Sequence, residues 1–97
     1  MAKVVLAPAL TRWLPAAANH SPGELALQVA GADVGQVLQA VFQTHPGLRG
    51  YVLDEQGAVR HHVAVFVDGQ ALQDKRDLRQ PVAADGEVYV MQALSGG

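Results

Sequence analysis

The sequence ends with Ser95-Gly96-Gly97, a short segment in which the carboxylate of Gly97 is the group that could react. A carboxylate is unreactive until it is activated, so this chemistry requires a second molecule. Glycine has no Cβ and adopts dihedrals forbidden to other residues, which lets Gly96 and Gly97 enter a narrow binding site. The small side chain of Ser95 would also fit a narrow site. Leu94 could dock at the entrance of that site. By itself, a terminal Gly-Gly is more often a frayed chain end.

Other residues of the sequence argue against a self-contained catalytic or metal site. The absence of cysteine excludes disulfides, thiolate metal ligands, iron–sulfur clusters and cysteine nucleophiles. His61 and His62 are adjacent, and neighbouring residues of a strand point to opposite faces, so we do not expect them to chelate one metal ion. The sequence has no triad, P-loop or dinucleotide-binding fingerprint. We therefore expect a protein that is not an enzyme and binds no metal or cofactor of its own.

Composition narrows the class of protein further. The 97 residues suffice for one domain, and 49% apolar with 16% charged residues is typical of a folded chain. A net charge of −2, with the basic residues scattered, disfavours binding to nucleic acid. No apolar segment is long enough for a membrane span or suited to a secretory signal. We expect a cytoplasmic location and no association with membranes.

One helix is predicted over residues 33–45. Asp33 is placed as its N-cap, where the carboxylate accepts from free amides of the first turn, and Pro46-Gly47 ends it. Residues 48–57 are predicted to be irregular. Apolar residues recur with helical spacing on one face, namely Val34, Val37, Leu38, Val41 and Phe42.

Alternating and β-branched residues predict the strands of a single mixed sheet. The predicted strands are 3–10, 24–29, 61–67, 70–72 and 87–94. A loop over 12–22 joins the first two strands, and Asp68-Gly69 and Asp85-Gly86 form tight turns. Since one helix must cover one face of this sheet, the first and last strands can pair in parallel at its centre. This arrangement is the α+β fold called the β-grasp, with residues 1–94 as the domain and 95–97 as a tail.

The two faces of the predicted sheet carry different residues. Valines at 63, 65, 67, 88 and 90 are expected to face the helix. Phe66, Tyr89 and Met91 are then expected to point to solvent beside the tail, where an apolar cluster suits a partner-binding surface. The alternative is that these three are ordinary exposed apolar residues, which are common on protein surfaces.

Four segments resemble the ThiS/MoaD family of sulfur carriers and, more distantly, ubiquitin. They are the first-strand residues 3–6, the helix start at 33–38, the hairpin Val65-Phe66-Val67-Asp68-Gly69 and, most specifically, the ending at 84–97. The ending is similar to the family pattern D-G-D-E-V-x-x-x-P-P-V-x-G-G. The sequence departs from it at Gln92-Ala93, which stand where the family has Pro-Pro. The resemblance covers nearly the whole chain.

The resemblance implies a function for the tail. An adenylating enzyme would use ATP to convert Gly97 into an acyl-adenylate, and sulfide from a sulfur donor would displace AMP and leave a thiocarboxylate. A downstream enzyme would accept this sulfur in the biosynthesis of molybdopterin, thiamine, cysteine or a thiocarboxylate metabolite. The protein would be a carrier or co-substrate, or the small subunit of a synthase complex.

Two other functions remain open at this stage. A ubiquitin-like modifier would use the same adenylate to join Gly97 to lysines of target proteins. A β-grasp interaction module would use no chemistry at its end.

Overall fold

A mixed five-stranded sheet is the main element of the computed structural model, which describes residues 1–11 and 25–92. Its spatial order is β2-β1-β5-β3-β4. The strands are β1 (Ala2–Leu6), β2 (Leu25–Val29), β3 (Val63–Val67), β4 (Gln70–Ala71) and β5 (Glu87–Gln92). The helices are α1 (Pro8–Thr11), α2 (Val34–Thr44) and α3 (Arg49–Val52), and a 3-10 turn (Pro46–Leu48) precedes α3. The predicted α+β class and β-grasp arrangement are confirmed.

The central strands β1 and β5 are parallel, as predicted. Val4 lies opposite Val88, and Leu6 opposite Val90. Parallel neighbours need a crossover connection, and the chain between β1 and β5 supplies it. Each central strand also has an antiparallel neighbour on its other side, β2 beside β1 and β3 beside β5.

Helix α2 covers one face of this sheet and closes the core. The apolar residues predicted on one helix face are all buried, at 6% exposure or less: Val34, Val37, Leu38, Val41 and Phe42. They belong to the same core cluster as the five predicted inward-facing valines of β3 and β5. Asp33 is the N-cap, as predicted, and its Oδ1 accepts from the amide of Gln36 at 2.8 Å.

The first turn of α2 is joined to the loop that precedes β5. The amide of Val34 donates to the carbonyl of Gln80 at 3.0 Å, and the amide of Gly35 donates to the carbonyl of Leu78 at 2.8 Å. A Cβ at position 35 would lie 3.3 Å from that Leu78 oxygen, so glycine permits the close approach. Val82 is buried and Leu78 is partly buried against the core, so both anchor this loop.

The structure corrects the predicted extent of the first strand. β1 ends at Leu6 rather than at residue 10, and Pro8 begins a helical turn instead. Proline has no backbone N–H for a strand ladder and its fixed φ suits the first position of a helix, which explains the change. Leu10, predicted in the strand, is buried from this turn instead. The predicted loop at 12–22 and residues 93 and 94 of the last predicted strand lie outside the described residues.

Two further boundaries differ from the prediction. Residues 46–52, partly predicted to be irregular, form the 3-10 turn and α3, because Leu48 and Val52 bury their side chains in the core. β3 begins at Val63, since the amide of Val63 donates to the carbonyl of Arg60 at 3.0 Å and closes a turn through His61 and His62. The two histidines therefore lie in a turn rather than in a strand.

We expect Leu38→Ala to destabilise the fold by about 2–5 kcal/mol, because it removes a side chain that is 1% exposed and leaves a cavity. Urea denaturation measures the free energy of unfolding. The matched control is Gln39→Ala on the exposed side of the same helix, which should change stability by less than about 0.5 kcal/mol. Equal effects of the two substitutions would contradict the packing described here.

We expect Gly31→Ala to destabilise the fold by roughly 1–3 kcal/mol through overpacking. An added Cβ would lie 2.8 Å from the backbone nitrogen of Val37 and 2.9 Å from its Cγ2. Gly47→Ala is the control, since a Cβ there meets nothing within 4 Å. Thermal denaturation should show a lowered midpoint for the first variant and little change for the second; a wild-type midpoint for Gly31→Ala would reject the steric argument.

Candidate partner-binding site

The last residue of β5 is Gln92, and the proposed tail of residues 95–97 begins three positions later in the sequence. Leu94, Ser95, Gly96 and Gly97 lie outside the described residues. What the structure describes is therefore the end of β5 and the surface beside it. Gln92 is the last residue of β5 and lies opposite Val63, the first residue of β3.

A row of apolar side chains crosses the whole sheet on the face away from α2. The strand registers place its members directly opposite one another, one on each strand. We call this set the outer row: Ala26, Val5, Tyr89, Phe66 and Ala71. The residues at its two ends are alanines, and the two aromatic residues, Tyr89 and Phe66, lie between them. The largest side chains of the outer row are therefore on β5 and β3.

Phe66, Tyr89 and Met91 lie on this outer face, where the alternation of each strand placed them, but they are half-buried rather than fully exposed. Phe66 lies opposite Tyr89, and Met91 lies opposite Ala64. Side chains that face each other across neighbouring strands shield one another, which accounts for the lower exposure. Sequence reasoning missed Val5, which is 6% exposed on this same face. The continuous run Val4-Val5-Leu6 was the available signal, because strands buried on both faces lose their alternation.

A charged pair borders the outer row where β5 begins. Lys3 Nζ lies 3.9 Å from Glu87 Oε2, and both side chains are about half exposed, so the pair contributes little stability. The amide of Glu87 also donates to Oδ1 of Asp68 at 2.9 Å, which ties the hairpin turn to β5. The outer row thus has a polar margin at the end of the sheet opposite Gln92.

Around Gln92 the structure brings together residues that the sequence did not single out as a group. The hydroxyl of Tyr51, on α3, donates to Oε1 of Gln92 at 3.0 Å. The rings of Tyr51 and His62 meet edge to face, with centroids 5.2 Å apart and planes at 85°. We call Tyr51, His62 and Gln92 the exit cluster. Tyr51 and Gln92 are 41 positions apart, and no local spacing could have predicted their contact.

The described residues show no grouping of three or more potential metal ligands. In the same residues no helix is long and apolar enough to span a membrane. The hydrogen bond from the Arg79 side chain lowers the pKa of the Asp77 carboxyl, and the same bond raises the pKa of Arg79. Both groups belong to the loop before β5 and are absent from the outer row and the exit cluster.

Solved structures of similar proteins support the fold assignment. Small archaeal modifier protein 1 from Haloferax volcanii is 27% identical to the chain, with a TM-score of 0.72, and the match covers 99% of this chain and 98% of that one. The crystal structure of the Amycolatopsis orientalis BexX/CysO complex contains a chain that is 20% identical, with a TM-score of 0.78 and full coverage of both. Mycobacterium tuberculosis CysO is 15% identical, with a TM-score of 0.72, covering 94% of this chain and 99% of CysO. No protein-family model and no curated protein sequence matches the chain significantly.

These matches assign the protein to the ubiquitin-like β-grasp fold. They cover each protein almost from end to end, so the chain corresponds to the whole of its structural neighbours. Those neighbours are small proteins of the carrier or modifier type and not enzymes. The Amycolatopsis structure is that of a complex of BexX with CysO.

Proposed function

We propose that this protein is a cytoplasmic sulfur carrier that is activated at Gly97. The observation that carries the proposal is that β5, the strand between β1 and β3, is followed in the sequence by a short segment ending in Gly96-Gly97. The likeness to a small archaeal modifier and to CysO supports it. The boundary between domain and tail after Leu94 is part of the same proposal.

The proposed chemistry takes place on the carboxylate of Gly97. One carboxylate oxygen attacks the α-phosphate of ATP on the activating enzyme, pyrophosphate leaves, and an acyl-adenylate forms. Sulfide from a sulfur donor then attacks the acyl carbon, AMP leaves, and the acyl group becomes a thiocarboxylate. A third enzyme transfers the sulfur to its acceptor, and water supplies the oxygen that restores the carboxylate. The carrier supplies the acyl group, and the partners supply the nucleotide and the sulfur.

The outer row provides the surface by which we propose that the activating enzyme holds the carrier. Phe66 and Tyr89 form the centre of the row, and Met91 lies between the row and Gln92. Aromatic residues and methionine are enriched at the centres of protein interfaces. Binding at this face would place the partner beside the end of β5, from which the tail must reach the adenylation site.

A protein modifier is the second candidate. The archaeal neighbour that is 27% identical is named as a modifier, which favours this function specifically. Both functions require the same acyl-adenylate of Gly97. They differ in the group that then displaces AMP, which is sulfide for a carrier and a lysine of a target protein for a modifier. A carrier isolated from its native cells should gain the mass difference between sulfur and oxygen, whereas a modifier should occur in larger conjugates that contain an isopeptide bond from Gly97.

Deleting Gly97 should abolish activation while leaving the fold intact, because the shortened chain presents its carboxylate one residue too early. ATP–pyrophosphate exchange with the activating enzyme measures the first step, and thermal denaturation checks the fold.

Gly96→Ala should reduce turnover severely with little change in stability, since a methyl group would clash with the walls of a narrow site. A residue added after Gly97 should be equally damaging unless a protease removes it. If the chain truncated after Ser95 still supports exchange, Gly97 is not the working group, and the interaction-module alternative replaces the carrier.

Phe66→Ala and Met91→Ala should each weaken binding to the activating enzyme by roughly 1–2 kcal/mol, as expected for interface anchors. Isothermal titration calorimetry measures the affinity, and circular dichroism verifies that each variant is folded. Gln39→Ala, on the exposed side of α2, serves as the control and should bind like the wild type. Unchanged affinity in both outer-face variants would reject the outer row as the docking surface.

A further inference from the structure

In the part of the chain that the structure describes, the last residues of β5 have fewer strand neighbours than the rest of the strand. Pairing with β1 ends at Leu6 and Val90, where the amide of Ala7 donates to the carbonyl of Val90 at 2.9 Å. Pro8 then begins α1 and takes the chain out of the ladder. Pairing with β3 continues as far as Val63 and Gln92. Among residues 1–11 and 25–92, Gln92 therefore pairs with one strand, β3, and its side chain provides a second attachment.

That second attachment is the hydrogen bond from Tyr51 to Gln92. The donor is the phenol hydroxyl, the acceptor is the amide oxygen Oε1, and the two atoms are 3.0 Å apart. Both side chains are half-buried, so water competes only partly for the donor and the acceptor of this bond. The ring of Tyr51 packs against the core and meets the ring of His62 edge to face, which restricts the position of the hydroxyl.

The backbone that carries Tyr51 is itself held in place. The guanidinium Nε of Arg60 donates to the carbonyl of Gly50 at 2.8 Å, and the amide of Arg60 donates to the carbonyl of Val52 at 2.8 Å. Leu48 and Val52, on either side along the chain, are at most 1% exposed. The hydroxyl of Tyr51 is thus a donor at a fixed place in the fold rather than a group on a loosely held loop.

We propose that Tyr51 is a positioning residue for the reactive carboxylate: by holding Gln92, the last described residue of β5, it fixes the origin of the segment that ends at Gly97. This inference rests on the proposed function. Five residues follow Gln92 and span at most about 17 Å when extended, so the position of Gln92 limits where the Gly97 carboxylate can reach. Reactions between bound groups are sensitive to displacements of about 1 Å. In this proposal Tyr51 acts through Gln92 rather than on the reacting carboxylate, so its loss should affect productive binding of the carrier rather than the chemical step.

The test measures ATP–pyrophosphate exchange with an adenylating enzyme of the source organism, chosen because it supports exchange with the wild-type protein. Tyr51→Phe removes the donor, and Gln92→Leu removes the acceptor. Each should raise the KM for the carrier about three- to tenfold with kcat unchanged, the range expected from losing one hydrogen bond. The double variant should be no worse than either single variant, because both remove the same bond. Gln92→Glu keeps an acceptor oxygen and should restore a KM close to that of the wild type.

Gln39→Leu is the matched control, since it makes the same change at an exposed position of α2 and should leave KM unaltered. Thermal denaturation of every variant separates positioning from stability. A lowered midpoint with an unchanged KM means that the bond is only structural and overturns the inference, as do additive effects in the double variant. If no adenylating enzyme of the organism supports exchange with the wild-type protein, the proposed function itself fails, and this inference fails with it.

Discussion

Parallel pairing of β1 with β5 is the interaction on which the rest of the structure depends. Lys3 pairs with Glu87, so the contact joins strands from nearly opposite ends of the chain. Without β5 the sheet would separate into the β1-β2 pair and the β3-β4 pair, and α2 would have no continuous surface to cover. Pairings of such large sequence separation carry a high loop-closure cost and slow folding. The dense valine packing on the helix side compensates for that cost.

The two faces of the sheet serve different purposes in the proposed function. The face under α2 is packed with valine and leucine and provides the stability of the domain. The other face carries the outer row, whose centre lies on β5 and β3. The exit cluster lies at the end of β5, where Gln92 pairs with Val63. Tyr89 of the outer row and Gln92 of the exit cluster both belong to β5. A partner bound to the outer row would therefore lie at a fixed position relative to Gln92.

The sequence was sufficient to predict elements whose signal is local. The helical spacing from Val34 to Phe42 and the alternation of β3 predicted the right elements and the right buried faces, because burial of one face imposes a period on the residues. The prediction of secondary structure was wrong at Pro8, which interrupts an apolar run. It was also wrong around Leu48 and Val52, which lie in helical turns whose residues show no clear period.

Contacts between distant parts of the chain were beyond the reach of sequence patterns. The bond between Tyr51 and Gln92 depends on how α3 packs against the end of β5, and neither residue shows it in its neighbours along the chain. The burial of Val5 depends likewise on the strands beside it. The alternation of β5 predicted which side of the sheet Met91 occupies, but not that it would be half-buried there.

The amino end of α2 is closed to anions. Helix N-termini bind phosphate groups through backbone amides that lack partners within the helix. In α2 the amides of Val34 and Gly35 donate to carbonyls of the neighbouring loop, and the amide of Gln36 donates to the Asp33 carboxylate, which also brings a negative charge to this end. A triphosphate would meet occupied donors and a repelling carboxylate there. If Gly97 is activated with ATP as proposed, we therefore expect the groups that neutralise the phosphates to come from the partner and not from this end of α2.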